Sequence, residues 1–134
     1  MGRHEVIVLD THVVVWWLVN SPRLSPAARE EIDREHRVLI PDIVCWEMAQ
    51  LALRRRVQLA DTPDRVMREL LAEPGVFVQP ITPEIGRRAA ELEAPSLRLD
   101  PADQLIAATA LELRCPLVTA DERLKALPGL ETLW

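Results

Sequence analysis

Four times in this chain a capping residue stands directly before a proline: Ser25-Pro26, Thr62-Pro63, Thr82-Pro83 and Asp100-Pro101. Ser, Thr or Asp at an N-cap accepts an orphan backbone N–H. Proline at the next position forfeits no hydrogen bond and already holds a helical φ. The pairs therefore predict four helices, over about 26–36, 63–73, 83–93 and 101–114. Short apolar or β-branched runs lie between them: Val6 to Leu9, Val38 to Ile40, Val76 to Val78 and Leu117 to Thr119. Such runs suit parallel strands covered on both faces. Periodicity adds helices over about 12–19 and 43–56. Strands alternating with helices indicate an α/β fold built on a parallel sheet.

The 134 residues form one predicted domain, 1–134, since no linker divides them. A chain of this size buries about two thirds of its surface, enough for a core without staples. An apolar content of 49% excludes a disordered chain. The longest apolar run, Val13 to Val19, falls far short of the roughly 20 residues of a membrane span. The N-terminus has no signal-peptide pattern, so a cytoplasmic location is expected. Cys45 and Cys115 form no CxxC and read as small buried hydrophobes in a reducing compartment. A net charge of −5 argues against gripping nucleic acid by charge alone, but it allows an acidic site that holds a metal.

Ligand sites in open α/β sheets form beyond the carboxyl ends of the strands. Asp10 ends the first apolar run, and Asp121 follows the last by two residues, so both acids fall at one sheet edge. Glu47 shares a narrow polar stripe with Gln50 and Arg54, which reads either as a solvated helix face or as part of a site. Asp103 lies on a face with Ile106, Ala107 and Ala110. There it is either a carboxylate needing a partner or, with Asp100, a cap on the helix N-terminus. Asp100 reads first as a cap. No basic residue is placed to pair with all of Asp10, Glu47, Asp103 and Asp121. Converging carboxylates must be protonated or bind a cation, and oxygen-only ligands suit Mg²⁺, or Mn²⁺ in its place. His4, His12 and His36 have no zinc-ligand spacing. The expectation is a divalent-metal site that activates water against a phosphodiester.

The stretches LDTHVVVWWL, the WE within a helix, DPADQLIAATA and LVTAD, in that order, resemble PIN-domain proteins, and most closely the VapC-type ribonuclease toxins of bacterial toxin–antitoxin pairs. The resemblance implies a PIN-like three-layer sandwich with a short, mostly parallel sheet flanked by helices. It implies a Mg²⁺-dependent endoribonuclease in which Asp10, Glu47, Asp103 and Asp121 form the acidic quartet. Thr11 and Thr119 are then hydroxyl neighbours that orient ligands or substrate. Activated water would attack phosphorus and leave a 5′-phosphate and a 3′-hydroxyl, with no covalent intermediate. The resemblance also implies a homodimer, and a cognate antitoxin whose C-terminal segment lies in the groove. Three positions depart from the pattern. PDIVCWE has no Ser before Trp46, Gln104 stands where Arg often follows the third acid, and Arg114-Cys115 stands where Gly often precedes the last strand. These bear on substrate contacts rather than on the metal site.

Other residues carry double readings. Arg54, Arg55 and Arg56 either suit a helix C-terminus or contact RNA phosphates. Arg87 and Arg88 read as a solvated helix face. Trp16 and Trp17 read as core or dimer contacts, with base stacking as the alternative. Trp134 carries no signal. Two other functions compete: a PIN-like scaffold that binds RNA or protein without cutting, and a receiver-like Mg²⁺-binding signalling domain. The only lysine, Lys125, is out of place for a receiver. A DxD phosphatase lacks its second Asp, because Thr11 and His12 follow Asp10.

Overall fold

Val6–Leu9 forms the first strand, β1, and its Ile7, Val8 and Leu9 are fully buried. The structure, a computed structural model, describes residues 5–34 and 37–134. Helices α1 (Thr11–Leu18) and α2 (Pro26–Asp33) lead to β2 (Arg37–Pro41). Helices α3 (Ile43–Leu53) and α4 (Pro63–Leu71) follow, then β3 (Val76–Gln79), α5 (Pro83–Glu91) and α6 (Pro101–Leu113). The chain closes with β4 (Leu117–Val118), α7 (Glu122–Lys125) and β5 (Thr132–Leu133). The strands make one five-stranded sheet in the order β3-β2-β1-β4-β5. Every pairing is parallel; Ile7 lies opposite Val38, and Leu9 opposite Val118. This is the α/β architecture expected, a parallel sheet flanked by helices.

The strand order matters for function. The chain first builds outward from β1 to β2 and β3, then returns to the other side of β1 for β4 and β5. The order therefore reverses between β1 and β4, and a crevice opens beyond their carboxyl ends. Below that crevice lies the core, with Leu9, Val13, Val14, Ile40, Val44, Met48, Ile106, Leu117 and Val118 all fully buried. Helix α6 packs on β1 and β2, and its small side chains Ala107 and Ala110 keep it close to them. Helix α5 covers α6 through Ile85, Ala89 and Ala108.

Three of the four cap–proline pairs work as expected. Ser25 Oγ accepts from Ala28 N at 3.0 Å, Thr82 Oγ1 from Ile85 N at 3.2 Å, and Asp100 Oδ1 from Asp103 N at 2.8 Å. Thr62 starts α4 without a side-chain cap bond, because its hydroxyl bonds the Asp64 carboxylate instead. The helices expected to end near 73, 93 and 114 end a little early: α4 at Leu71, α5 at Glu91 and α6 at Leu113. Helix α3 stops at Leu53, not near 56. Arg55 there takes a φ of 56°, so Arg55 and Arg56 lie past the helix. Arg114 caps α6 with a φ of 54°, a left-handed conformation that favours Gly and costs other residues roughly 1 kcal/mol. Helix α2 ends at Asp33; residues 35 and 36, which the expected helix would have included, lie outside the described residues, as does His4.

Both cysteines are half-buried rather than buried, and both pack against the core. Burial pushes the Cys45 thiol up and the Cys115 thiol up to about 11, which keeps them protonated. Helix α7 and strand β5 had no counterpart in the sequence reading. Strand β5 pairs with β4 and carries Trp134 back onto Trp16, with ring centroids 5.6 Å apart. Among the described residues, no helix is long and apolar enough to cross a membrane.

Candidate active site

Asp10 leaves β1 and becomes the N-cap of α1. Its Oδ1 accepts from Thr11 N at 2.8 Å, and its Oδ2 accepts from Thr119 Oγ1 at 2.7 Å. The same Thr119 hydroxyl accepts from Asp121 N at 3.0 Å. Thr119 is fully buried just past β4, so it fixes the first acid against the turn that carries the last. Thr11 Oγ1 donates to Glu47 Oε1 across 36 residues of sequence. Glu47 is thus drawn in from α3, and the reading of its stripe as a purely solvated face does not hold.

Asp103 lies in the first turn of α6 and is buried. Asp100, the N-cap of that helix, holds the Asp103 backbone and acts on its charge. Asp121 caps α7 by accepting from Arg123 N at 2.8 Å. The acids therefore come from β1, α3, α6 and the β4–α7 turn, and each feels the charge of another. Asp10 feels Asp121, Asp103 feels Asp10, and Glu47 feels both Asp100 and Asp10.

One cation was missed in the sequence. Arg123 NH2 donates to Asp121 Oδ2 at 2.7 Å and to Asp103 Oδ2 at 3.0 Å. Arg123 Nε reaches Asp121 Oδ1 at 3.2 Å, and NH1 donates to Arg98 O at 2.7 Å. The expectation that no basic residue pairs with all four acids stands, but Arg123 pairs with two. It lies two positions after Asp121, at the start of a helix the sequence did not announce.

The pKa values follow this layout. Burial raises the Asp10 carboxyl, against the lowering bonds from Thr119 and Thr11. Burial also raises Glu47, partly offset by the Thr11 hydroxyl. Asp103 is pushed up to about 7 by burial and then by Asp100, with Arg123 opposing. Asp121 is lowered by its bond to Arg123, and that bond raises Arg123 in turn. Arg123 bonds only two of the five interacting acids, and His12 eases Asp10 and Glu47 only slightly, so the acids outnumber the positive charge beside them. Its inward-facing donors are carboxylate and hydroxyl oxygens, the set that suits a hard divalent cation. Among the described residues, no three His, Cys, Asp or Glu side chains stand placed to hold a metal ion. Arg123 occupies oxygens of Asp103 and Asp121 in this arrangement.

The remaining candidates fall elsewhere. Arg54, Arg55 and Arg56 are exposed, and Arg54 lies seven residues beyond Glu47, about 10 Å of helical rise. The structure does not bring them to the acids. Arg87 pairs with Glu91 at 2.8 Å on the solvated helix face expected. Arg88 departs from that reading: half-buried, it reaches Glu112 at 2.7 Å and ties α5 to α6. Gln104 donates to Ala89 O at 3.2 Å and so ties α6 to α5. Asp42, in the segment that lacks a Ser, accepts from Ile81 N at 3.1 Å. Trp16 and Trp17 are half-buried against the core.

A parallel sheet of this order, with acids gathered at its switch point, defines the class: the chain belongs to the PIN-domain family, whose model matches residues 7–130. Its particular relatives are VapC proteins. It is 39% identical to ribonuclease VapC22 of Mycobacterium tuberculosis over 130 residues, 96% of this chain and 98% of that one. Among solved structures, VapBC2 from Rickettsia felis, bound to a fragment of its promoter DNA, shares the fold with a TM-score of 0.68. The match has 18% identity and covers 95% of this chain and 96% of that one. VapC20 of Mycobacterium tuberculosis, a toxin that cleaves the sarcin-ricin loop, matches with a TM-score of 0.65 at 16% identity. It covers 90% of this chain and 93% of that one.

Proposed function

We propose that this chain is a Mg²⁺-dependent endoribonuclease and the toxin of a bacterial toxin–antitoxin pair. The observation that carries the reading is the charge imbalance in the crevice: acids from four parts of the fold interact there, and among the described residues only Asp103 and Asp121 are bonded by a guanidinium. Such an arrangement is costly without a cation. Identity of 39% to a ribonuclease over nearly the whole chain supports the same activity.

Asp10, Glu47, Asp103 and Asp121 would hold the cation, with Mn²⁺ as a substitute for Mg²⁺. When bound, it supplies Lewis-acid activation of water and neutralises charge developing on the phosphodiester. The chain's own residues do the positioning. Thr11 N–H and Thr119 Oγ1 fix the two oxygens of Asp10, and Thr11 Oγ1 orients Glu47. Asp100 sets the backbone of Asp103 and adds negative charge to the site. Hydrolysis by water leaves a 5′-phosphate and a 3′-hydroxyl, and no covalent enzyme intermediate is needed. The acids repel RNA until a cation is present, so binding should be modest and salt-sensitive.

The antitoxin assignment draws on solved structures of similar fold that belong to toxin–antitoxin systems. An apolar groove lined by Leu18, Val19, Leu59, Val66 and Leu70 offers a partner a surface. Exposed Trp46, Leu53 and Phe77 offer more, and we assign part of this surface to a homodimer. A cytoplasmic location fits this role.

The test is cleavage of a mixed RNA pool by the purified, folded chain with Mg²⁺, beside EDTA and Asp10→Asn controls. Cleavage in the first reaction alone is expected. Full activity of Asp10→Asn or Asp103→Asn at matched Mg²⁺ would remove the quartet. Silence in every reaction would favour a scaffold that binds without cutting.

A further inference from the structure

We infer that the groove between α1 and the β4–α7 turn is a nucleobase subsite, where a base flanking the cut stacks on Trp16 and Arg23 takes a neighbouring phosphate. The inference rests on the ribonuclease reading and adds a place for one nucleotide.

The groove has a volume of about 310 Å³ and is lined by Asp10, His12, Trp16, Arg23, Ala120 and Asp121. Two of its walls are acids of the crevice, so whatever fills it lies beside them. Its size falls at the small end of ligand pockets, which run from roughly 300 to 1,000 Å³. That suits one base rather than two. Carboxylates, an aromatic ring and a guanidinium also line it together. A nucleotide beside a scissile phosphate asks for this combination: a cation site for the reacting phosphate, a ring for the base and an arginine for the next phosphate.

Trp16 is built to be such a platform. His12, one helical turn before it, meets its ring at 47° with centroids 5.8 Å apart. Trp134 meets it at 56° and 5.6 Å. Both contacts are tilted, so neither ring lies parallel on the indole in the way a base would. Strand β5 is what carries Trp134 into this position. The ring is therefore held before any ligand arrives, which lowers the entropy cost of stacking. Trp17 has a different role. It lines a separate cavity with Ile32, Val38 and Leu70.

Arg23 is exposed and makes no ion pair with a described residue, which leaves its guanidinium free for phosphate. An overall charge of −5 gives the chain little general attraction for RNA. A stacking platform supplies affinity that does not depend on charge, and only an unstacked, single-stranded base can use it.

The experiment takes a short single-stranded RNA that the wild-type chain cuts, and places an abasic residue at each position around the cut in turn. Stacking on an aromatic ring is worth about 1–3 kcal/mol per base, or roughly 5- to 150-fold. One abasic position next to the cut should lower kcat/KM of the wild type by that order. Trp16→Leu should lower kcat/KM on intact RNA similarly, and the abasic residue should then cost it little more. Trp16→Phe should keep most of the activity. Should Trp16→Leu fail to fold, Arg23→Gln on exposed surface provides a second cycle, with a methylphosphonate in place of each phosphate in turn. Equal abasic penalties in wild type and Trp16→Leu, or equal methylphosphonate penalties in wild type and Arg23→Gln, would overturn the subsite while leaving the ribonuclease intact. No metal-dependent cutting of any RNA by the wild type would overturn both.

Discussion

Arg123 stands between the acids and any cation, and its removal should tighten metal binding. Its guanidinium makes a two-point contact with Asp121 and one bond to Asp103 at 3.0 Å. The Arg123 side chain is 45% exposed, so water screens these contacts; the Asp103 side chain is only 11% exposed. Discounting for that screening, the contacts together are worth about 1–2 kcal/mol. A cation seated on Asp103 and Asp121 must take oxygens that Arg123 now holds. Its apparent affinity is lowered by the same amount. Arg123→Gln should therefore bind Mn²⁺ about 5- to 30-fold more tightly in calorimetric titration at pH 7.5. Without metal the variant should be less stable, because Asp103 and Asp121 lose their counter-charge. Its Tm in EDTA should fall by roughly 3–8 °C. Unchanged or weaker Mn²⁺ binding by a folded variant would refute the reasoning, since Arg123 would then support the bound state rather than compete with it.

Four further outcomes follow from the same geometry. Asp103, held up to about 7, keeps its proton more tightly in the folded chain than in the unfolded one. The stability this contributes to the metal-free chain is full below the ordinary carboxylate range and is lost as pH rises to about 7. Because a cation must displace that proton, Mn²⁺ affinity should climb by up to tenfold per pH unit below about pH 7, then level off; titrations from pH 5.5 to 8.5 check both. Thr119→Val should cost about 1–3 kcal/mol in denaturant unfolding, because it strands Asp10 Oδ2 and the Asp121 N–H, whereas Thr119→Ser should keep most of the stability. Ser25→Ala should cost about 1 kcal/mol by losing a cap bond, and Thr62→Ala markedly less, since Thr62 makes none. Asp10→Asn should match or exceed the wild-type Tm in EDTA while losing metal binding, whereas Asp10→Ala should lose both the cap and the metal, a contrast scanning calorimetry and titration would show.

The sequence made the α/β order legible because its helix starts are written twice, in a cap and in a proline. Asp100 and Asp103 could be placed from one of those marks, Asp100-Pro101. Asp10 and Asp121 could be placed from the apolar runs before them. What could not be seen was anything made by contact at a distance. Glu47 looked like part of a polar stripe until Thr11, 36 residues away, proved to be its partner. Arg123 was silent because its role depends on a helix of four residues, too short to show a period. Trp134 was silent because β5 is two residues long and exists only by pairing with β4. The register of the sheet, rather than any motif, brings that last side chain beside the first helix.

The choice between helix cap and metal ligand, open for Asp103 and Asp100 in the sequence, is also not a choice the fold has to make. Asp10, Asp100 and Asp121 are the N-caps of α1, α6 and α7. Three helix N-termini thus meet the crevice, each bringing backbone N–H groups and the positive end of a dipole. Those partial charges make it tolerable to gather acids there before a cation arrives. Capping uses Oδ1 of Asp10, while Oδ2 is turned to Thr119. Capping therefore uses only one oxygen of that carboxylate, and the other is held by a side-chain hydroxyl. Asp103 has no such division. Its carboxylate is bonded by Arg123 and helped by the Asp100 backbone N–H. Burial and the Asp100 charge nevertheless outweigh both and raise it to about 7. The acid whose partners fall furthest short of its burial is the one whose charge most needs a cation, and burying it so is hard to explain if the acids served only to start helices.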